Sequence, residues 1–172
     1  MANKLIVANW KMSKVSEDAQ KYIKEFTKHL KNPKSTEIVI CPPFTLLYAI
    51  KESLKGTKIK LGAQNISHEN SGAFTGEISP LMLKDAGCEY VIIGHSERRQ
   101  YFSETNETVN KKLKAALSNS LKPIMCIGEK QIERQQDRTF DIIEDQLLEG
   151  LKEVPKIQLK NISIAYEPIW AI

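Results

Sequence analysis

The chain has 172 residues, enough for one domain with a sizeable core, and residues 1–172 are expected to form a single domain. Apolar residues make up 41% and charged residues 27%, which is ordinary for a globular protein and excludes a disordered or fibrous chain. The net charge of +4 comes from lysines spread along the sequence, without the basic stripe and interleaved aromatics of a nucleic-acid binder.

The opening "MANKLIVANWKMS" lacks the long apolar core of a signal peptide, and no run reaches transmembrane length. A cytoplasmic setting without membrane contact is the expectation, with Cys41, Cys88 and Cys126 as reduced thiols. His29, His68 and His95 are scattered, so the sequence offers no local zinc site.

"KLIVANW" reads as the first buried strand and ends on Asn9 and Lys11. Ser16 to Leu30 follows as a helix with Ala19, Ile23, Phe26 and Leu30 on one face and Glu17 and Asp18 in the favourable first turn. "EIVICPPF" and "KIKLGAQN" are the second and third strands, the latter ending on Gln64 and Asn65. A long polar connection, "GAQNISHENSGAFTGEIS", has Gly72 and Gly76 to allow a protruding loop. "SPLMLKDAG" is a short helix with Ser79 as N-cap, Pro80 at its first position and Gly87 past its end.

"YVIIGHS" is the fourth strand. Gly94 allows a tight turn, and Ser96 is placed to cap a short helix with Glu97 in its first turn. Thr105 to Leu117 repeats the apolar face with Val109, Leu113, Ala116 and Leu117. After the fifth strand, "KPIMCIGE", one long helix is expected over Ile132 to Glu153, with Phe140, Ile143, Leu147 and Leu151 inward. "ISIAYEP" is the sixth strand, and Pro168 stops it directly after Glu167. The six strands start near residues 4, 37, 58, 90, 122 and 162, a step of about 32 residues that suits one strand–helix unit.

Alternating strands and helices specify a parallel sheet. Periodicity leaves an open doubly wound sheet and a closed barrel both standing. Polar residues at the carboxyl ends of the strands favour the barrel, where those ends converge on one mouth: Asn9, Lys11, Gln64, Asn65, His95, Glu129 and Glu167. At such a mouth Glu167 suits a general base, and the alternative is an acid that simply points at solvent. His95, beside a helix N-terminus, suits an uncharged imidazole that donates to a carbonyl, and the alternative is a ring satisfied by its neighbours. Lys11 offers a compact cation for a phosphate or oxyanion, or is one more surface lysine. Cys126, between Met125 and Ile127, reads as a small buried apolar residue and not as a nucleophile.

"NWKM", "CPPF", "GAQN", "GAFTGEIS", "GHSERR", "CIGE" and "AYEPIWAI" stand in the order, and at about the spacing, of the triosephosphate isomerase family. The resemblance runs from Lys4 to Ile172. It implies a (β/α)8 TIM barrel represented here by about five strand–helix units and a sixth strand, with "PIWAI" as the start of a mobile lid. It further implies that Glu167 is the base that moves a proton between two carbons of a phosphorylated triose. His95 would polarise the carbonyl, Asn9 and Lys11 bind substrate, and Ser96 and Glu97 support them. Thr75 would enter a second copy of the chain in a homodimer, and no metal or cofactor would be needed. On this reading the 172-residue chain alone has negligible isomerase activity and associates through unpaired strand edges. Two alternatives remain: a non-catalytic piece of the barrel, and a different phosphosugar barrel or binding module on the same scaffold.

Overall fold

Runs of four to six Ile- and Val-rich residues are too short to stand as helices alone, and pairing satisfies their backbone groups. A computed structural model describes residues 4–30 and 35–172 and places each run in one sheet. The elements in chain order are β1 (Lys4–Asn9), α1 (Ser16–His29), β2 (Thr36–Cys41), α2 (Leu47–Ser53), β3 (Lys60–Ala63), α3 (Pro80–Asp85) and β4 (Tyr90–Ile93). Next come α4 (Ser96–Tyr101), α5 (Asn106–Ser118), β5 (Lys122–Ile127), α6 (Gln131–Gln135), α7 (Thr139–Gly150), α8 (Lys156–Leu159) and β6 (Ser163–Tyr166).

The described strands lie in the order β1-β2-β3-β4-β5-β6, and every adjacent pair is parallel. This curled half-barrel, with helices between its strands, is the architecture of a partial TIM barrel.

Alternation along the strands feeds two cores. Ile38, Ile40, Val91, Ile93 and Met125 face the helices and join the larger cluster with Ile23, Ile50, Leu83 and Leu113. Val39, Cys41, Tyr90, Ile92, Ile124 and Cys126 form a second cluster on the opposite face of the sheet. Both faces are apolar, which is why these strands read as unbroken apolar runs and not as alternating ones.

Several local expectations hold. Ser79 accepts from the Met82 N–H at 3.2 Å, Pro80 is the first residue of α3, and Gly87 takes φ +86°. Val109, Leu113, Ala116 and Leu117 are buried on α5, and Thr105, read as the first residue of that helix, is its N-cap and accepts the Thr108 N–H at 3.2 Å. The three cysteines are unpaired and buried. Burial pushes the Cys88 thiol up to about 12 and raises those of Cys41 and Cys126 further, so none is poised as a thiolate.

Three expectations need correction. The single helix over 132–153 is two, α6 and α7, because Asp137 takes φ +55° between them. Phe140 is 85% exposed at the start of α7, whereas Ile143, Leu147 and Leu151 pack on the core. Ser96 is the first residue of α4 and not its cap; His95 is the N-cap, and its side chain accepts from the Glu97 N–H. The sequence reading also omits α2 and α8. Among the described residues, no helix is long and apolar enough to cross a membrane.

Candidate active site

Parallel strands deliver the residues just past their carboxyl ends to one side of the sheet. β1 ends at Asn9, and Lys11 adopts φ +53°, a left-handed conformation that costs a non-glycine residue about 1–2 kcal/mol. Two contacts hold it there: the Lys11 N–H donates to Asn9 Oδ1 at 2.9 Å, and Gln64 Nε2 donates to the Lys11 carbonyl at 2.9 Å. Gln64 Nε2 also reaches the Cys41 carbonyl at 2.8 Å, so β1, β2 and β3 are tied at their upper ends. Strain placed where a charged side chain must point inward is typical of functional positions.

From Lys11 the contacts run across the mouth. Lys11 Nζ pairs with Glu97 Oε1 at 2.7 Å. The Glu97 N–H donates to His95 Nδ1 at 3.2 Å, and His95 Nε2 lies 3.2 Å from Glu167 Oε2. Glu167 Oε1 in turn accepts the Ser96 N–H at 2.7 Å. The His95 and Glu167 side chains are only 10% and 19% exposed.

The backbone donor at Nδ1 fixes the histidine tautomer. Nδ1 must present its lone pair, so the ring's proton sits on Nε2, facing Glu167. Asn9, Lys11, Gln64, His95 and Glu97 line a cavity of about 210 Å³ beside this row. The arrangement places an uncharged donor and an ammonium on one cavity, and a carboxylate directly behind the donor, in contact with it. Proton transfer next to a carbonyl needs that set.

The structure thus brings Asn9, Lys11, His95, Ser96, Glu97 and Glu167 together. Of the remaining strand-end polar residues, Gln64 and Asn65 line the same cavity, and Glu129 is turned away from it. Asn65 Oδ1 accepts from Lys112 Nζ at 2.8 Å in a buried cluster that includes Glu104. Glu129 is fully buried and accepts from Tyr166 Oη at 3.0 Å and Trp170 Nε1 at 2.9 Å. Burial opposes its charge, but hydrogen bonds from Trp170, its own backbone, Tyr166 and Arg134 outweigh that, and the pKa of its carboxyl is lowered. Thr75 sits on the exposed tip of the 64–79 connection, whose ends meet where the Ser67 N–H donates to the Ile78 carbonyl at 2.9 Å.

Sequence reading assigns nothing to Arg99. Its Nε donates to the Gly94 carbonyl at 2.8 Å, Nη1 to Asn106 Oδ1 at 2.7 Å and Nη2 to the Cys126 carbonyl at 3.3 Å. It therefore braces the turn before His95 against the end of β5. Burial lowers its pKa, while the charges of Glu104 and Glu167 act to raise it. Its position four residues after His95, on the face of α4 that meets the sheet, is the signal that could have marked it.

A family model described as triosephosphate isomerase matches residues 4–172. The triosephosphate isomerase of Dictyoglomus thermophilum is 56% identical over 172 residues, covering 100% of this chain and 69% of that protein. That of Alkaliphilus oremlandii is 52% identical over the same 172 residues, again 100% of this chain and 69% of the relative. For Aquifex aeolicus the figures are 52% over 169 residues, 98% of this chain and 68% of the relative.

Proposed function

The chain belongs to the triosephosphate isomerase family, and from that premise we propose how its own residues interconvert dihydroxyacetone phosphate and D-glyceraldehyde 3-phosphate. The observation that carries the assignment is the 3.2 Å approach of His95 Nε2 to Glu167 Oε2, with Lys11 two contacts away. The activity is an aldose–ketose isomerisation, an intramolecular oxidoreduction in which one carbon is oxidised as its neighbour is reduced.

Glu167 takes a proton from the carbon next to the carbonyl and becomes a carboxylic acid. The C–H electron pair forms the new C=C bond, and the carbonyl π pair moves onto oxygen. His95 donates its Nε2–H to that oxygen, and the Lys11 ammonium stabilises the enediolate charge. Proton shift between the two oxygens and return of the proton from Glu167 to the adjacent carbon complete the exchange. Without substrate, the hydrogen bond from His95 and the Ser96 N–H occupy the carboxylate. The substrate carbonyl replaces Glu167 as the acceptor of the histidine proton. Asn9 shapes the wall beside Lys11, and Glu97 orients the ammonium.

A homodimer in which the Thr75 tip meets a second copy fits its exposed, glycine-flanked loop, and work in the cytoplasm fits a glycolytic isomerase. Steady-state assay tests the site in a chain of the relatives' full length that begins with these residues. Glu167→Gln and His95→Gln should each lower kcat by about 10²–10⁴-fold with an unchanged circular dichroism spectrum. Turnover within threefold of the parent for either would remove that residue from the mechanism.

A further inference from the structure

Gln146 lies on α7, behind the sheet, and is only 9% exposed. Both ends of its amide are spent on the backbone of one residue. Gln146 Nε2 donates to the Gly128 carbonyl at 3.0 Å, and Gln146 Oε1 accepts the Gly128 N–H at 2.8 Å. A planar amide is suited to this, since it offers a donor and an acceptor side by side.

Gly128 follows β5 directly, and its backbone lies flat against that of Glu167. A Cβ at position 128 would overlap the Glu167 carbonyl oxygen, with the carbonyl carbon 2.7 Å away and Pro168 N at 3.1 Å. All three neighbours are backbone atoms, so nothing can swing aside. On either side of this contact, the Glu167 N–H donates to the Ile127 carbonyl at 2.8 Å and the Ile169 N–H to the Glu129 carbonyl at 3.0 Å. Residues 127–129 thus form the surface on which the backbone of the base rests, and the middle of that surface is gripped from behind by Gln146.

We propose that Gln146 is a positioning residue for proton transfer: by fixing the Gly128 peptide, it sets the depth at which the Glu167 carboxylate enters the mouth. The inference rests on the reading of Glu167 as the base. Misplacing a base by about 1 Å can cost about 10²-fold in rate, while substrate binding depends on other groups. Loss of the clamp therefore lowers kcat and leaves KM nearly unchanged.

Three variants, assayed in a chain of the relatives' full length that begins with these residues, test this. Gln146→Met keeps the volume and removes both hydrogen bonds. It should lower kcat by about tenfold or more with KM within about threefold of the parent. Gln146→Glu supplies a readout that a merely structural role would not move. A protonated carboxyl has one donor and one acceptor and can rebuild the clamp, whereas a carboxylate only accepts.

Asp145 on α7, Glu133 on α6, Lys130 before it, Glu104 before α5 and Arg99 on α4 line the same 600 Å³ cavity as position 146. Lys112 and Arg98 pair with Glu104, which leaves two acids against two cations, and burial then favours the protonated form. The kcat of Gln146→Glu relative to the parent should therefore climb as pH falls and decline as pH rises. Glu167→Gln in the same assay separates the two ideas. If it loses turnover while Gln146→Met keeps kcat within twofold, only the positioning role is overturned. If Gln146→Met does not fold, a pH-independent ratio for Gln146→Glu overturns it instead. If Glu167→Gln keeps parental turnover, the base assignment fails and the proposal falls with it.

Discussion

β4 and β6 are both four-residue parallel strands that deliver a reacting side chain just past their last residue, yet they are held quite differently. β4 pairs with β3 and β5, and all four of its residues are buried. Among the described residues β6 pairs only with β5, and Ile164 and Tyr166 are 46% and 52% exposed. His95 therefore stands on a strand fixed by packing on both faces. Glu167 stands on one fixed by hydrogen bonds at its end: Ser96 to its carboxylate, Ile127 to its N–H, and Tyr166 and Trp170 to buried Glu129. In this 172-residue chain the donor side of the mouth is thus held by apolar burial and the base side by polar contacts.

Removing methylenes from the packed strand should have the largest effect on stability. Ile93→Ala, at a fully buried position, should lose about 4 kcal/mol of unfolding free energy in a urea titration, and a loss below about 1 kcal/mol would break the contrast. An intermediate effect is expected from Tyr166→Phe, which deletes a hydrogen bond to a buried carboxylate and should cost about 1.5 kcal/mol at neutral pH.

The sign of its pH dependence follows from Glu129. Its pKa is lowered in the fold, so the unfolded chain binds the extra proton first on acidification. The stabilisation is complete above the ordinary carboxylate pKa and is lost as pH falls through the lower folded one. The difference between Tyr166→Phe and the parent should therefore shrink in acid, and a constant difference would show that the hydroxyl does not act through that charge. In the 172-residue chain Ile164→Ala should have the smallest effect, below about 1 kcal/mol, because about half of that side chain is already in water. A larger loss would mean that β6 is packed much as β4 is.

The strands were legible because a sheet covered on both faces makes its strands plain apolar runs, as in "YVIIG" and "KPIMCIG". The Ser79 cap was legible from its own side-chain oxygen and the proline after it. The break at Asp137 was not, since a left-handed aspartate leaves no glycine to see. At the mouth, the residue types of Lys11, His95 and Glu167 could be read as candidates, but their convergence depends on barrel curvature, and the family motifs supplied it. Arg99 closes the motif "GHSERR" and Gln146 lies outside any motif, but the bracing role of neither could be read, because both bind backbone atoms that every residue has. The clue for Gln146 is a polar residue inside the apolar stripe Ile143–Leu147–Leu151, and it emerges only when an inward amide is asked what it satisfies.

The central claim, that Glu167 carries the proton between the two carbons, is tested most directly by isomerising dihydroxyacetone phosphate in deuterated water. A chain of the relatives' full length that begins with these residues should place solvent deuterium on carbon 2 of the glyceraldehyde 3-phosphate formed. Glu167→Gln should lose that incorporation together with turnover. Turnover or deuterium incorporation at the parental rate in Glu167→Gln would contradict the account.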